Sequence, residues 1–572
     1  METTTHGDAA AASHDDTAAA SHDDTAAASH DDTAAASHDD TGPASHTGAS
    51  TLPPRITKAM IDRLTGMITA GTAGAKRDPY EMVEVYTGAV VGELPQSSPE
   101  DVAAAADKAR AAQREWASWP VKRRLRVFEK AHELILSELD TIADLIQIGC
   151  GKTRRMAIEE SCDPPMVISH YLKHAERILK PTKRGGAMPI ISTSTEQHRP
   201  KGVVAVIAPW NFPFAISISD SVPALIAGNG VVIKPDNKTA LCTLYGVELL
   251  RKAGLPRDLI QVVCGTGPDV GPALIDNSDF VMFTGSTATG RTIGERAGRN
   301  LISCSLELGG KNPMLVLDDA NLDEVIPGAV FAVFGNSGQA CMHIERIYVH
   351  DRVHDEFVRR FVAAAEELGA KAGASYTSDP EFGSLVSVDH MRRVASHVDD
   401  AVAKGATVLT GGKPRPDVGP AFYEPTVLTG VTPEMEHATL ETFGPVVTIY
   451  RYTDENEAIR QANATTYGLN ASVWSADLAR AERIADRLEA GNVNVNDGFV
   501  ATYSAKMTPS GGVKQSGVGT RHGDAGLLKY TDTVNIGVQK KQVLSARAGM
   551  PFEKQLKSTL ITLRLSRRLR IR

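Results

Sequence analysis

The run KGVVAVIAPWNFP, residues 201–213, decides the fold of this 572-residue chain. Its apolar part is short and rich in valine, which is typical of a buried strand, and Pro209 marks the point where the strand ends. Further apolar runs, separated by helical patterns, are GVVIKP (230–235), LIQVVCG (259–265) and FVMFTGS (280–286). Because strands that alternate with helices form parallel sheets, these runs predict an α/β lobe over residues 55–309.

A second alternating series predicts another α/β lobe over residues 310–510. Its strand-like runs are NPMLVL (312–317), IERIYV (344–349), ATVLTGG (406–412), VVTIY (446–450) and ASVWS (471–475). Residues 98–178 have a helical pattern that begins with Ser98 as a predicted N-cap. Residues 182–200 alternate as a β-hairpin does.

The two ends of the chain differ from this body in composition. Residues 1–54 contain ten acids and no Lys or Arg, and the unit AAASHDDT occurs there four times in register. So few apolar residues cannot offset the entropy cost of ordering, which predicts a disordered low-complexity tail. Residues 546–572 form a basic tail with apolar residues near helical spacing. We expect a frayed or docked helix there rather than membrane contact.

The composition argues against several functional classes. The chain is 42% hydrophobic and 23% charged, with a net charge of −8 and no basic nucleic-acid footprint in its body. No apolar run reaches the roughly 18 residues of a membrane span. The six cysteines lack CxxC and zinc-ligand spacing, so we expect no metal. No secretory or transit signal is recognisable, which predicts a cytoplasmic protein.

Three residues are candidates for covalent chemistry. Cys341 ends the polar, glycine-rich stretch GNSGQAC, a setting that suits a reactive thiol. Asn211 follows a strand and can donate to a developing oxyanion. Glu307 precedes a Gly-Gly turn in LELGGKNP and is a candidate general base. The structural alternatives are an inert buried thiol, an amide that satisfies a turn and an ion-paired acid.

The run FTGSTATG, residues 283–290, indicates a phosphate site. Gly285, Ser286 and Gly290 follow a strand and enter a helix, whose N-terminal amides can face a pyrophosphate. The spacing is not GxGxxG, so the motif alone is weak. The nearby GTGPDVG, residues 265–271, predicts a loop.

Taken in order, these motifs resemble those of the aldehyde dehydrogenase superfamily over about residues 60–540. They are Asn211 in PWNFP, Lys234 in IKP, FTGST, Glu307 in ELGGKNP, Cys341 in GNSGQAC, and Glu441 with Phe443 in ETFGPVV. Stretches such as GVGTRHGDAGLLKYT (517–531) resemble the subgroup of NADP-linked succinate-semialdehyde dehydrogenases. The implied α/β fold has a Rossmann-like NAD(P)-binding domain over 55–309 and a catalytic domain over 310–510. A return segment over 511–545 joins the hairpin 182–200 in a small β oligomerisation element.

The resemblance also implies a mechanism. Cys341 attacks the aldehyde to form a thiohemiacetal, whose oxyanion is held by the Asn211 side chain and the Cys341 N–H. Hydride transfer to nicotinamide leaves a thioester, and Glu307 activates the water that hydrolyses it. Splitting the oxidation in two and aiming two donors at one oxygen both lower the barrier. The implied assembly is a homodimer or homotetramer acting on a small-molecule aldehyde.

The implied cofactor is NADP, with NAD left open. Glu441 would hold the nicotinamide ribose and Phe443 would pack near the ring, while Trp210 and Ser286 would line the cleft. Lys234 would reach the adenine ribose.

The residues after Lys234 bear on the choice between NADP and NAD. Many relatives carry a Glu that repels a 2′-phosphate, and this chain has Asn237 at that position. Asp236 returns one negative charge a residue earlier, so the preference for NADP is weak.

The substrate is the least determined feature. A Lys that many relatives carry nine residues after the oxyanion Asn is Asp220 here, so no proton-relay role is assigned to it. The carboxylate-binding arginines of known succinate-semialdehyde enzymes correspond to Ser219 and Gly335, and the nearest basic residues in sequence are Arg346 and His343. Succinate semialdehyde is the expected substrate, with uncharged aldehydes as the alternative. A thioesterase, a coenzyme A-acylating enzyme and a non-catalytic family member are the further alternatives.

Overall fold

A computed structural model describes residues 52–72, 74, 77–185, 192–540 and 549–568. The predicted disordered tail lies outside these residues apart from 52–54. Residues 186–191 of the predicted hairpin and both ends of the basic tail also lie outside them. The strands are β1 Tyr80–Val83, β2 Val90–Leu94, β3 Thr182–Gly185, β4 Ser192–Pro200, β5 Val203–Ile207, β6 Gly230–Lys234, β7 Ile260–Val262, β8 Phe280–Thr284, β9 Ser303–Glu307, β10 Asn312–Val316, β11 Ile344–His350, β12 Thr407–Thr410, β13 Thr426–Thr429, β14 Val446–Tyr452, β15 Asn470–Trp474, β16 Asn492–Val495, β17 Gly517–Val518 and β18 Thr531–Gln539.

Nineteen α-helices lie within the described residues. They are α1 Lys58–Thr65, α2 Pro99–Ser118, α3 Val121–Ser137, α4 Leu139–Cys150, α5 Arg154–Ser161, α6 Asp163–Leu179, α7 Pro213–Ala227, α8 Ala240–Lys252, α9 Gly267–Asp276, α10 Thr287–Arg299, α11 Leu322–Phe334, α12 Asp351–Ala370, α13 Val388–Ala403, α14 Glu436–Thr439, α15 Glu455–Asn463, α16 Leu478–Ala485, α17 Val500–Ser504, α18 Gly523–Leu528 and α19 Phe552–Arg568. Short 3₁₀ helices span Asn237–Thr239, Arg257–Leu259, Gly335–Gly338 and Lys514–Ser516.

The first lobe is built on a six-stranded sheet with strand order β17-β9-β8-β5-β6-β7. All pairs are parallel except β17 with β9. The first four residues of β5, three valines and one alanine, are fully buried, because helices cover both faces of the sheet. Capping follows the sequence at α2, where Ser98 Oγ accepts from Asp101 N at 3.2 Å and an Asp101 oxygen accepts from Ser98 N at 2.9 Å.

The second lobe is built on a seven-stranded sheet with order β12-β13-β14-β11-β10-β15-β16. Only the β12–β13 pair is antiparallel. The predicted α/β fold class is therefore confirmed, with two largely parallel sheets in one compact unit. The position of β17 refines the expected division, since a strand from the return segment completes the sheet of the first lobe.

A third sheet consists of β18, β4 and β3 in that order, all antiparallel. Nine residue pairs join β18 to β4, from Thr531 with Pro200 to Gln539 with Ser192. Most β18 residues are exposed, including Val538 at 52%. The hairpin and the return segment thus form one ribbon with an open edge.

The segment GTGPDVG, residues 265–271, was predicted to be a loop, but most of it lies in the first turns of α9. Thr266 caps α9, its Oγ1 accepting from Asp269 N at 3.3 Å, and proline is tolerated in the first turn that follows.

In the C-terminal region of the chain, α19 exposes Phe552, Leu560 and Leu563. Within the described ranges, no helix has the length and hydropathy needed to cross a bilayer.

Candidate active site

Cys341 follows a loop with an unusual backbone. Asn336, Ser337 and Gly338, in the 3₁₀ helix before it, have φ values of 54°, 54° and 72°. Left-handed backbone costs a non-glycine residue about 1–3 kcal/mol, so surrounding contacts must over-determine it. Position 338 admits no side chain, because a Cβ there would collide with the Gly444 carbonyl.

Side-chain hydrogen bonds hold this loop in place. Asn336 Nδ2 donates to the carbonyls of Asn211 at 3.3 Å and Gln339 at 3.0 Å. Gln339 Nε2 donates to the carbonyls of Asn336 and Ser384. Its Oε1 accepts from Val386 N at 2.9 Å. The loop before the thiol is therefore tied both to the strand end at Asn211 and to the second lobe.

Asn211 lies between β5 and α7, with 3% of its surface exposed. Its Nδ2 donates to the Gln339 carbonyl at 3.1 Å, two residues before Cys341. An asparagine amide carries two N–H groups, so a second donor remains for an oxygen bound at the thiol. The structure thus brings the predicted oxyanion donor and the predicted nucleophile together.

Glu307 ends β9 and is buried, with 5% exposure. The turn after it touches the nucleophile segment, because a Cβ on Gly310 would lie 2.7 Å from the Cys341 carbonyl oxygen. Burial raises the pKa of Glu307 to about 7, against the lowering effect of the Arg521 and Lys529 charges. Its Oε1 has no hydrogen-bond partner among the described atoms. A buried carboxyl that titrates near neutrality and has a free oxygen suits a general base.

The thiol of Cys341 is half-buried and is protonated at neutral pH. Burial raises its pKa to about 12; the Arg521 charge lowers it, and the Glu441 and Glu307 charges raise it. Burial raises the pKa of Cys264 to a similar value, but that thiol is fully buried among apolar side chains. Position rather than acidity therefore distinguishes Cys341, and its attack requires a base to remove the proton.

Glu441 and Phe443 lie across from the Gly309–Gly310 turn. Gly310 N donates to Glu441 Oε1 at 2.9 Å, and burial raises the pKa of Glu441 to about 7. Phe443 has a left-handed φ of 56°, and its ring meets that of Trp210 edge-on with centroids 5.4 Å apart. These three predicted cofactor residues therefore lie close together, and Glu441 contacts the turn that adjoins the Cys341 segment.

The other predicted cofactor residues lie at the carboxyl ends of β6 and β8, where open α/β sheets bind nucleotides. Burial lowers the pKa of Lys234, whose Nζ donates to the Pro235 carbonyl at 3.3 Å. Asp236 caps the next 3₁₀ turn by accepting from Lys238 N at 2.9 Å.

Ser286 caps α10 by accepting from Thr289 N at 3.2 Å. Gly285 and Gly290 have no room for a side chain, since a Cβ would press on Phe283 or Leu308. A cation, a helix N-terminus and side-chain-free backbone at one sheet edge suit a dinucleotide, so the residues fit the implied cofactor.

Sequence reasoning missed two charged pairs. Lys311 and Glu345 form an ion pair in which neither side chain is exposed. The sequence feature that could have indicated this pair is a charged residue beside an apolar strand run, for Lys311, or within one, for Glu345. Asp220 forms a two-pronged ion pair with Arg521, 301 positions away, which no local pattern could have indicated.

Arg346 and His343, the nearest basic residues in sequence, are already engaged inside the protein. Arg346 is 4% exposed and donates to the Lys311 carbonyl at 2.9 and 2.6 Å and to the Ala462 carbonyl at 2.9 Å. His343 is 1% exposed, with Nε2 3.1 Å from Glu345. Both are structural groups because their polar atoms are used inside the protein.

Ser219, at one of the two positions where an arginine was expected, faces an ion pair. Its Oγ donates to Asp163 Oδ2 at 2.5 Å, and Lys506 Nζ donates to Asp163 Oδ1 at 2.6 Å. Lys506 is thus a cation near this position, but its charge is already balanced.

The chain has two lobes, and a cysteine lies beside an amide donor and a buried carboxyl. The nearby sheet edge is of the type that binds nucleotides. Together these features define a class of cofactor-linked oxidoreductases that use a covalent thiol. The sequence profile of the aldehyde dehydrogenase family matches residues 72–536. The chain belongs to the aldehyde dehydrogenase family and is an oxidoreductase.

Several proteins are similar to it. A Mycolicibacterium smegmatis protein provisionally named succinate-semialdehyde dehydrogenase [NADP(+)] is 49% identical over 85% of this chain and 94% of its own length. The Deinococcus radiodurans succinate-semialdehyde dehydrogenase [NADP(+)] is 36% identical over 79% of this chain and 94% of its own. The crystal structure of succinate-semialdehyde dehydrogenase from Burkholderia pseudomallei has a TM-score of 0.77 at 34% identity, covering 82% of this chain and 95% of that one.

Proposed function

We propose that this enzyme oxidises succinate semialdehyde to succinate, with NADP as the preferred cofactor and NAD as a second one. The observation that carries the proposal is the connected set of Asn211, Glu307 and Cys341 beside a nucleotide-type sheet edge. The names of the similar proteins support the choice of substrate and of NADP.

In the proposed mechanism, the Cys341 sulfur attacks the aldehyde carbon. Because the thiol pKa is raised to about 12, its proton must leave during the attack, and Glu307 is a base whose charge reaches the thiol. The second N–H of Asn211 and the Cys341 N–H stabilise the thiohemiacetal oxygen. The bound dinucleotide would supply the hydride acceptor. After releasing the thiol proton to solvent, Glu307 takes a proton from the water that hydrolyses the Cys341 thioester.

The residues at the sheet edge support NADP over NAD. Both functional ends of the Asn237 side chain are used, one donating to Gln96 at 3.1 Å and the other accepting from Gly265 N at 3.2 Å. The position therefore carries no charge against a 2′-phosphate. The Asp236 carboxylate is partly balanced by the Lys238 amide and by Lys238 Nζ at 4.0 Å.

A specific observation favours a second candidate, the oxidation of uncharged aldehydes. Ser219 and Gly335 supply no cation, and Lys506 is neutralised by Asp163. A carboxylate substrate normally needs a charged hydrogen-bond partner. The two candidates differ only in the distal end of the substrate, so the same chemistry serves both.

The deciding experiment compares kcat/KM for succinate semialdehyde and butanal, each with NADP and with NAD, by absorbance of the reduced cofactor. A preference for the semialdehyde above about tenfold, which is about 1.4 kcal/mol of transition-state discrimination, supports the proposal. Equal rates or a preference for butanal select the second candidate. No reduction of either cofactor, with binding detected by titration, would indicate a non-catalytic protein, and an acyl thioester on adding coenzyme A would indicate acyl transfer.

The ribbon of β3, β4 and β18 is proposed as the oligomerisation element of a homodimer or homotetramer. The long open edge of β18 and its exposed Ile536 and Val538 favour pairing with a second chain. Light scattering of the protein and of Ile536→Lys/Val538→Lys tests this, since the substitutions should shift the mass toward the monomer.

A further inference from the structure

Charged side chains from separate parts of the chain surround Glu307. The antiparallel pairing of β17 with β9 sets Gly517 opposite Glu307, which brings the following segment and its Arg521 to the carboxyl. Asp220 comes from α7, and Lys529 comes from the end of α18. Lys529 Nζ lies 3.3 Å from Ser305 Oγ, two residues before Glu307. None of the roles proposed above uses these three groups.

Arg521 is held in one orientation. Its Nε and Nη2 each lie 2.9 Å from a different Asp220 oxygen, a planar two-pronged geometry that fixes the guanidinium. Nη2 also donates to Thr284 Oγ1. The side chains of Arg521 and Asp220 are 17% and 5% exposed, so water screens the pair poorly.

The remaining nitrogen of Arg521 faces Glu307. Nη1 lies 3.7 Å from Glu307 Oε2, close enough for a strong charge interaction but beyond hydrogen-bond distance. Glu307 Oε1 has no partner among the described atoms. The carboxylate is therefore stabilised as an anion while one oxygen stays available to accept a proton.

We propose that Arg521, oriented by Asp220, is a positioning residue that keeps Glu307 ionised in its buried site and so sets the pH range of thioester hydrolysis. This inference rests on the proposed role of Glu307 as the base. The other groups facing Glu307 are Lys529, which acts in the same direction as Arg521, and the protonated Cys341. Burial also holds the pKa of the neighbouring Tyr530 well above its usual value, so that phenol stays neutral.

The two members of the pair act on Glu307 with opposite signs. Burial raises the pKa of Glu307 most, the Arg521 and Lys529 charges lower it, and the Asp220 charge raises it. Loss of Arg521 therefore leaves Glu307 protonated at higher pH. Loss of the Asp220 charge removes a repulsion and releases the guanidinium toward Glu307, which favours ionisation at lower pH.

The test is the pH profile of steady-state kcat and of the pre-steady-state burst of reduced cofactor, for wild type, Arg521→Gln, Arg521→Lys and Asp220→Asn. We expect Arg521→Gln to move the acid limb of kcat up by at least one pH unit, which is a tenfold loss at fixed acid pH. The burst should stay near one equivalent per subunit. Arg521→Lys should restore most of the shift, and Asp220→Asn should move the limb down.

Opposite shifts support the inference, because a merely structural role would lower kcat without moving the limb. The inference would be overturned if Arg521→Gln left the acid limb of kcat unchanged. It would also be overturned if Arg521→Gln and Asp220→Asn moved that limb in the same direction. If Arg521→Gln does not fold, as judged by circular dichroism and cofactor binding, the signs for Arg521→Lys and Asp220→Asn decide. A wild-type enzyme that reduces neither cofactor with any aldehyde would instead refute the proposed function.

Discussion

Neutralising Glu345 should destabilise the protein in a way that depends on pH. Glu345 accepts from Lys311 Nζ, from Thr442 N at 3.0 Å and from Phe443 N at 3.0 Å, and neither member of the ion pair is exposed. Burial acts to raise the pKa of Glu345, but the Lys311 and His343 charges hold it well below its usual range. The Glu345 carboxyl is therefore ionised at neutral pH.

In Glu345→Gln the amide oxygen can still accept from the backbone, but Lys311 becomes a buried charge without a partner. Breaking such a pair costs about 3–5 kcal/mol. The cheapest response is for Lys311 to lose its proton, and with an unfolded pKa of about 10.4 this costs about 4.6 kcal/mol at pH 7. The folded variant then binds fewer protons than its unfolded state, so its stability rises with pH. The loss of unfolding free energy relative to wild type should therefore shrink by about 1.4 kcal/mol per pH unit between pH 7 and 8.

The assay is urea denaturation at fixed protein concentration, followed by tryptophan fluorescence at pH 7 and 8. Lys311→Met/Glu345→Gln should recover much of the loss, because it leaves no unpaired charge. The matched control is Glu367→Gln, which breaks the exposed pair with Lys371 and should cost less than about 0.5 kcal/mol. This account of the pair would be refuted if the free energy of unfolding of Glu345→Gln lay within about 1 kcal/mol of the wild-type value and did not change between the two pH values.

The remaining predictions concern the site itself. Cys341→Ala should form no reduced cofactor from any aldehyde while still binding NADP by titration, and normal activity would exclude a covalent role. Glu307→Gln should slow both the burst of reduced cofactor and steady-state turnover, the latter about 10²–10⁴-fold, as expected for the loss of a general base. With its pKa raised to about 7 and the anion active, wild-type hydrolysis should fall toward tenfold per unit below pH 7. Asn211→Ala should lower kcat about 10²–10³-fold with little change in NADP affinity. Gly338→Ala should disrupt the loop before the thiol, given a φ of 72° and the Gly444 carbonyl in the way, and is checked by activity beside a thermal melt.

Much of the fold could be predicted because hydrophobic patterning is local. The run at 201–213 is one of several apolar runs whose alternation with helices already requires a parallel sheet. Each became a strand, and all except the run at 406–412 have buried residues on both faces. Capping at Ser98 was also local, since one hydroxyl satisfies an N–H three residues away. GTGPDVG differs from its predicted loop, because Thr266 and Pro268 suit the first turn of a helix although glycine and proline are common in loops.

The site was predictable only in its members. Asn211, Glu307 and Cys341 could be chosen as residue types that follow strands or turns, but their meeting depends on two lobes and on contacts far apart in sequence. The same holds for Arg346, because its charge says nothing of the backbone carbonyls to which it donates in the folded chain.

The sequence by itself determined the α/β class, the strand order along the chain and the chemical types at the site, because these follow from local periodicity and residue chemistry. Only the tertiary structure decided which charges meet. Arg521 reaches Asp220 across 301 positions, and Lys311 meets Glu345 across 34. Electrostatic interactions depend on distance and burial, not on separation along the chain, so the environment that brings Glu307 to a pKa of about 7 appears only after folding.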